Sequence, residues 1–235
     1  MKMNELHGPE PEWSKFYNFS DICEYHDLFD AYGRSKRNPI SHEGKTGRPH
    51  TDSGFRLRSW SSKGSFRGIP LSNSLEESPC PLDRNDWGCY FIRINLGGEP
   101  WDYIGRADAS SKEVYGIWKR LYIHFTKIAG TTASNSGSPT KKFEAMRQSA
   151  IKLGENTNTP EFFASRVQIA LLKLDKNIIE NSYQGSVLAE QNAHRLYKEK
   201  RGYLPKLCDT DESTEVKSPF GLSGLQSLII GSVDS

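Results

Sequence analysis

The chain has 235 residues, of which 35% are hydrophobic and 26% are charged, and its net charge is +2. This length allows one large domain with a core of modest size, and the small net charge excludes a uniformly basic, polyanion-binding protein. No apolar run is long enough to cross a bilayer, and the N-terminus lacks the apolar core of a signal peptide, so we expect a cytoplasmic protein without a membrane partner. The four cysteines lack the paired spacing of a zinc site, which favours reduced thiols.

Residues 1–85 are predicted to combine a short helix with a basic arm. The helix pattern begins near Ser20, a possible N-cap, and ends at Gly33. From Gly33 to Gly68 only two acidic residues accompany nine basic ones: Arg34, Lys36, Arg37, Lys45, Arg48, Arg56, Arg58, Lys63 and Arg67. The Gly, Ser and Pro content argues against regular structure. A stretch of this charge suits a phosphate backbone, so we predict that these nine residues bind DNA, with a solvated loop as the alternative.

Residues 86–210 are predicted to form the core, in the order β-β-α-α-β-α. Strand-forming residues over 89–96 and 101–107 flank a glycine-containing turn, which predicts an antiparallel hairpin. Apolar spacing predicts helices over 110–130, 141–154 and 185–202, and a third strand over 165–174. The expected fold class is a mixed α/β (α+β) domain with a small antiparallel three-stranded sheet flanked by helices. We expect three additions to this core: the N-terminal extension, a polar loop inserted over 130–140 and an apolar tail over 211–235.

An ordered set of polar residues follows these predicted elements. Gly88-Cys89-Tyr90 lies on the first core strand and Tyr103-Ile104-Gly105 on the second. Arg106 comes next, Arg120 lies on the following helix with His124 one turn later, and Glu190 lies on the last core helix. Over residues 86–210 this order resembles the GIY-YIG nuclease superfamily. The resemblance implies a GIY-YIG nuclease core with Tyr90, Tyr103, Arg106, Arg120, His124 and Glu190 as catalytic residues.

The resemblance implies a role for each residue type. Tyr90 is the first choice for the general base and Tyr103 for orienting water or phosphate, although the two phenols are free to exchange these roles. A free phenol has a pKa of roughly 10, so a phenolate needs a strong positive field. Arg120 and His124 are four residues apart and share one helix face, so both can address one phosphate. Glu190 supplies the hard oxygen ligand for Mg²⁺, for which Mn²⁺ can substitute.

Two positions depart from the family pattern, and one further residue competes for the role of metal ligand. Cys89 replaces an isoleucine, which a buried strand tolerates because cysteine packs as a small hydrophobic residue. Cys208 stands where the family often has an asparagine, and Asn192 is only a weak substitute for it. Glu180 competes with Glu190 as the metal ligand, and Glu190 is preferred because a helix and then "LPKL" follow it.

The layout favours a type II restriction endonuclease that hydrolyses double-stranded DNA at a specific, palindromic sequence. One compact chain carries the core and the arm, without a string of extra DNA-binding modules. One site per chain cuts one strand, so a double-strand break predicts a homodimer on DNA, with the N-terminal helix and the tail as candidate contacts. The alternatives are a structure-specific repair or mobile-element nuclease of the same family, and a catalytically silent DNA-binding protein.

Overall fold

The computed structural model describes residues 10–22, 81–82, 86–107, 116–130, 140–175, 182–208, 211 and 219–231. The strands are β1 (Tyr17–Asn18), β2 (Gly88–Leu96), β3 (Glu99–Ala107) and β4 (Val167–Lys173). The helices in these residues are α1 (Phe19–Ile22), α2 (Gly116–Ala129), α3 (Thr140–Lys152), α4 (Pro160–Arg166), α5 (Ser182–Arg201) and α6 (Leu225–Ile230). The predicted α+β class and antiparallel sheet are confirmed. The nine basic arm residues, the polar loop over 131–139 and Glu180 lie outside the described residues.

The sheet has four antiparallel strands in the order β1-β4-β2-β3, so the prediction of three strands is wrong. The additional strand contributes only Tyr17 and Asn18, which pair with Ile169 and Gln168 of β4. Two residues cannot display the alternation by which a strand is recognised in sequence. Because β2 lies between β3 and β4, all nine of its residues are buried, whereas β3 forms one edge of the sheet.

The hairpin of β2 and β3 sets the register of the two tyrosine-bearing strands. Leu96 pairs with Glu99, which leaves Gly97 and Gly98 as a two-residue turn. Both glycines have positive φ, 57° and 81°. A tight hairpin turn with positive φ at both central residues matches the twist of the strands and favours glycine. The same register places Tyr90 opposite Gly105.

Helices cover both faces of the sheet. On one face, even-numbered residues of β2 pack with apolar side chains of α1 to α4, including Phe125, Phe143 and Phe163. On the other face, odd-numbered residues of β2 pack with α5 and α6. Successive strand residues point to opposite faces, so each core layer draws on one half of β2. Among the described residues, no helix has both the length and the apolar character that a membrane crossing requires.

A buried ion pair joins β2 and β3 on the α5 side. Arg93 donates from Nε and Nη2 to the two carboxylate oxygens of Asp102, each at 2.9 Å. Tyr197 on α5 donates to Asp102 Oδ2 at 3.0 Å, and Arg93 Nη1 donates to the carbonyl of Leu228 on α6 at 2.9 Å. Every charged atom in this pair therefore has a partner, which a buried charge requires.

Two segments outside the predicted core belong to the same packed body. The tail forms α6, whose Leu225, Leu228 and Ile229 are buried against α5 and the sheet. At the other end of the chain, the Trp13 ring nitrogen donates to the carbonyl of Gly221 at 2.7 Å. The described parts of the predicted 1–85 and 211–235 units thus pack into the two layers that cover the faces of the sheet.

Helix α4 was not predicted from the sequence. Thr159 caps it, because its side-chain oxygen accepts from the backbone N–H of Phe162 at 3.2 Å, and Pro160 occupies its first turn. Threonine followed by proline is a favourable helix start. The helix has only seven residues and runs directly into β4, so its apolar residues merge with those of the strand in the sequence pattern.

Candidate active site

The two tyrosines of the paired motifs meet over a glycine. Tyr90 on β2 lies opposite Gly105 on β3, and Tyr103 precedes Gly105 by two residues, so all three address the same face. A Cβ atom at position 105 would lie 2.6 Å from Cε1 of Tyr103 and 2.8 Å from the hydroxyl of Tyr90. Such separations are shorter than atomic contact allows. Gly105 is therefore the residue that lets the phenols approach each other.

Helix α2 adds an imidazole to the phenols. His124 Nε2 lies 3.0 Å from the hydroxyl of Tyr90. The ring centroids of Tyr103 and His124 are 4.1 Å apart, and those of Tyr90 and Tyr103 are 6.0 Å apart. Phe143 of α3 stacks beside His124, with ring centroids 5.8 Å apart. Three polar rings from three elements thus form one cluster, walled by an aromatic side chain.

Burial determines the charge state of His124. The side chain is only 5% exposed, and burial, assisted by the charges of Lys127 and Arg120, holds its pKa well below the usual range. The imidazole is therefore neutral at pH 7 and carries one proton. Nδ1 has no hydrogen-bond partner among the described residues. A buried N–H without a partner is rarer than an acceptor without one, so we assign the proton to Nε2, which then donates to Tyr90.

The two phenols differ in their access to solvent. Tyr90 is 1% exposed, whereas Tyr103 is only partly buried. Burial raises the pKa of both phenols, and the carboxylate of Glu190 raises it further, while the guanidinium of Arg120 lowers it. In the free protein both phenols are therefore protonated at neutral pH. This geometry favours Tyr103 over Tyr90 as the phenol that meets water or substrate, with Tyr90 linking it to His124.

Arg106 and Glu190 form an ion pair on the other face of β3. Arg106 Nη1 lies 2.5 Å from Glu190 Oε2, and the two side chains are 25% and 11% exposed. Because Arg106 follows Gly105 in an edge strand, its side chain leaves the sheet opposite to the phenols. The charge of Glu190 nevertheless acts on both phenols. The site therefore straddles the free edge of β3 rather than lying on one face.

Arg120 completes the predicted set. It lies on α2 one turn before His124 and is exposed. Its positive charge acts on Tyr90, Tyr103 and His124, which places it at the solvent side of the cluster. All six residues that the sequence singled out thus meet around the edge of β3, in one hydrogen-bonded ring cluster, one ion pair and one exposed guanidinium.

Sequence reasoning missed three residues at the site. Phe143 lies in a helix whose apolar spacing indicates only core packing, and it also approaches Tyr103, at 6.2 Å between ring centroids. Lys142 donates from Nζ to the carbonyl of Cys208. His194, one turn after Glu190 on α5, is buried with Nε2 3.3 Å from the carbonyl of Ile104. Only the four-residue spacing of Glu190 and His194 on one helix face pointed toward His194.

The donor set at Glu190 fits Mg²⁺ that is held by few protein ligands. Glu190 offers carboxylate oxygens at the edge of the phenol cluster, and Mg²⁺ typically combines one or two carboxylates with waters and substrate phosphate. Among the described residues, no three His, Cys, Asp or Glu side chains converge as a metal-binding group. The arrangement therefore suits a hard cation shared with substrate better than a closed structural metal site.

No protein-family model matches this chain, and comparisons with curated proteins and with solved structures find no match. The resemblance drawn from the motifs consequently depends on the residues and on their arrangement.

Proposed function

We propose that the protein is a Mg²⁺-dependent type II restriction endonuclease that hydrolyses double-stranded DNA with a GIY-YIG-like site. The supporting observation is that Tyr90, Tyr103 and His124 meet over Gly105. Glu190 lies near enough for its negative charge to raise the pKa of both phenols. These residues are far apart in the chain and have the chemistry that phosphodiester hydrolysis requires. A chance match of two tripeptides does not account for their convergence.

In the proposed reaction a water oxygen bonds to phosphorus as the bond to the leaving deoxyribose oxygen breaks. The attacking water gives up one proton, and the leaving oxygen takes up one from solvent. Arg120 is exposed and fixed in charge, so it is suited to bind the phosphate oxygens whose charge increases in the transition state. Tyr103 orients the attacking water. Tyr90 and His124 hold the Tyr103 ring in place through a chain of hydrogen bonds from His124 to Tyr90 and from Tyr90 to Tyr103. The phenol of Tyr103 is neutral, so it needs added positive charge to lose its own proton before it can accept one from water.

Glu190 would hold the metal, and Arg106 would fix the orientation of that carboxylate. When bound, Mg²⁺ supplies positive charge that stabilises the phosphate and acidifies a neighbouring water or phenol. The ion pair of Arg106 and Glu190 keeps the carboxylate from turning toward bulk solvent in the free protein. DNA contacts from the nine basic arm residues remain part of the proposal.

We infer that the homodimer forms on DNA, because two copies are the simplest means of cutting both strands of a palindrome. The apolar side of α6 is buried against its own chain. Ile230 and Tyr203 remain exposed in this region, at 54% and 43%. A dimer that uses the tail would therefore use these two residues rather than the buried face of α6.

The test is digestion of a sequenced plasmid by the purified chain with Mg²⁺, with Mn²⁺ or with chelator, followed by mapping of the ends. We expect discrete fragments with either metal and no cleavage with chelator. Glu190→Gln should lower the rate at least about 100-fold, whereas Glu199→Gln, an exposed glutamate on the same helix, should not change it.

Two outcomes would replace the proposal. DNA binding without metal-dependent cleavage would indicate a silent DNA-binding protein. Cleavage confined to branched or flapped DNA, with ordinary duplex intact, would indicate a structure-specific nuclease.

A further inference from the structure

The free edge of β3 is closed by a short segment that follows α5. Leu207 N–H donates to the carbonyl of Asp102 at 3.0 Å, as a neighbouring strand would. One residue later the backbone bond is replaced by a side chain. The Cys208 sulfur lies 3.4 Å from the Ile104 nitrogen and 3.3 Å from the Ile104 oxygen. One thiol therefore both accepts from and donates to the backbone of the same edge residue.

A second side chain reaches the same carbonyl. His194 Nε2 lies 3.3 Å from the oxygen of Ile104, and both His194 and Cys208 are buried, at 2% and 4% exposure. Lys142 of α3 holds the clamp from the other side through the carbonyl of Cys208. The backbone at Ile104 is thus held by α5, by the 207–208 segment and indirectly by α3. We call Cys208 and His194 the Ile104 clamp.

The position of the clamp connects it to the site. Ile104 stands between Tyr103 and Gly105 in β3, so the clamp holds the backbone directly beside both residues. An edge strand with unsatisfied backbone groups would move or recruit water. Burial raises the pKa of the Cys208 thiol to about 12, so the sulfur keeps the proton that it donates.

We propose that Cys208, together with His194, is a positioning residue that holds strand β3 in the register and orientation that the Tyr103 phenol requires. This inference rests on the proposed nuclease function for its effect on catalysis. The chemistry of the clamp needs one donor and one acceptor in a single small side chain. A carboxamide also carries both, so asparagine is the conservative replacement, and valine, which carries neither donor nor acceptor, is the disruptive one. Asn192 does not share this role, because it donates to the carbonyl of Phe220 at 2.7 Å.

The experiment compares Cys208→Asn and Cys208→Val with Cys89→Ala in the full-length chain. Cys89→Ala removes another fully buried thiol, at 0% exposure, whose sulfur donates to the carbonyl of Ser186 rather than to Ile104. Hydrogen exchange at the Ile104 amide is measured first, because it reports the clamp whether or not the protein cuts DNA. For Cys208→Val we expect exchange to quicken about tenfold, which corresponds to one lost hydrogen bond, while Cys208→Asn and Cys89→Ala stay near wild type.

Plasmid cleavage is measured second. We expect Cys208→Val to lower kcat about tenfold with KM within about twofold, because positioning acts on the transition state more than on binding. Cys208→Asn should restore kcat. If Cys208→Val does not fold, the Cys208→Asn variant decides. Ile104 exchange and kcat near wild type in Cys208→Asn support the clamp, whereas faster exchange and a lower kcat in this variant overturn it. Unchanged Ile104 exchange in a folded Cys208→Val overturns the clamp and leaves the nuclease proposal intact. A wild type that cuts no DNA overturns the nuclease proposal and leaves the exchange test of the clamp valid.

Discussion

Gly105 lies across the β2–β3 ladder from Tyr90, and the space that a side chain at 105 would fill is occupied by the Tyr90 hydroxyl and the Tyr103 ring. The glycine is therefore required by its neighbours rather than by its own backbone angles. In sequence the same residue resembles an ordinary turn glycine at the end of a strand.

Replacing Gly105 with alanine should separate the two phenols. The added methyl group would overlap both rings, and overpacking of this kind costs about 1–3 kcal/mol of unfolding free energy. We expect DNA cleavage to fall at least about 100-fold, since a misplacement of about 1 Å is enough to do so. Gly98→Ala is the control, because nothing lies within 4 Å of its Cβ position. It should cost about 1 kcal/mol for its positive φ and leave cleavage unchanged. Equal cleavage by both variants would contradict the close packing of the phenols.

Phenylalanine at each tyrosine should distinguish the roles of the two phenols. Tyr103→Phe removes the more accessible hydroxyl and should abolish most cleavage with little loss of stability. Tyr90→Phe leaves the His124 ring without its hydrogen bond at 3.0 Å, so it should cost about 1–3 kcal/mol of unfolding free energy as well as activity. Urea denaturation and plasmid cleavage measure the two quantities. A larger stability loss in Tyr103→Phe than in Tyr90→Phe would reverse the assignment.

The depressed pKa of His124 predicts a loss of stability in acid. In the unfolded chain the imidazole has a pKa of about 6.5, and in the folded protein it is well below that value. The unfolded state therefore binds the proton first, so His124's contribution to stability is present above about pH 6.5 and lost as the pH falls through the folded value. The unfolding free energy of His124→Gln should fall less between pH 7.5 and pH 5 than that of wild type. Parallel curves for the two proteins would rule out a buried neutral imidazole.

The raised pKa values of the buried phenols predict a loss of stability in base. Burial raises the pKa of Tyr90, Tyr103 and Tyr197 above the usual value of about 10. Above that pH the unfolded chain releases these protons and the folded protein retains them, so stability falls as the pH rises. Ultraviolet absorbance should show phenolate from these tyrosines only as the protein unfolds. Full titration of all tyrosines near pH 10 in a still-folded protein would contradict their burial.

The ion pair of Arg93 and Asp102 should be among the most sensitive sites for stability. Asp102→Ala leaves a guanidinium buried, at 3% exposure, without its carboxylate. We expect a loss of about 3–5 kcal/mol of unfolding free energy in urea denaturation. The matched surface pair is Arg195 with Glu199, whose side chains are 31% and 51% exposed. Glu199→Ala should cost less than about 1 kcal/mol, and a similar cost for both variants would contradict the buried network.

Local patterns were sufficient to predict most core elements of the chain, but not α4 or β1. Strand alternation and the Gly97–Gly98 turn predicted the hairpin and its antiparallel pairing, because register in a tight hairpin is set within a few residues. Apolar spacing predicted α2, α3 and α5. The four-residue spacing of Arg120 and His124 placed both on one helix face, and the ordered motifs predicted the residues that gather at the edge of β3.

Relations between distant segments were decided only by the tertiary structure. β1 is too short to show a pattern, and it exists because β4 offers a partner edge. Burial, which depends on packing from every side, separated the accessible Tyr103 from the enclosed Tyr90. The contacts of Cys208 and His194 with Ile104 join residues 104 and 90 positions apart in the chain. No local pattern encodes such contacts, because they form only when the sheet edge, α5 and the segment after it have all been assembled.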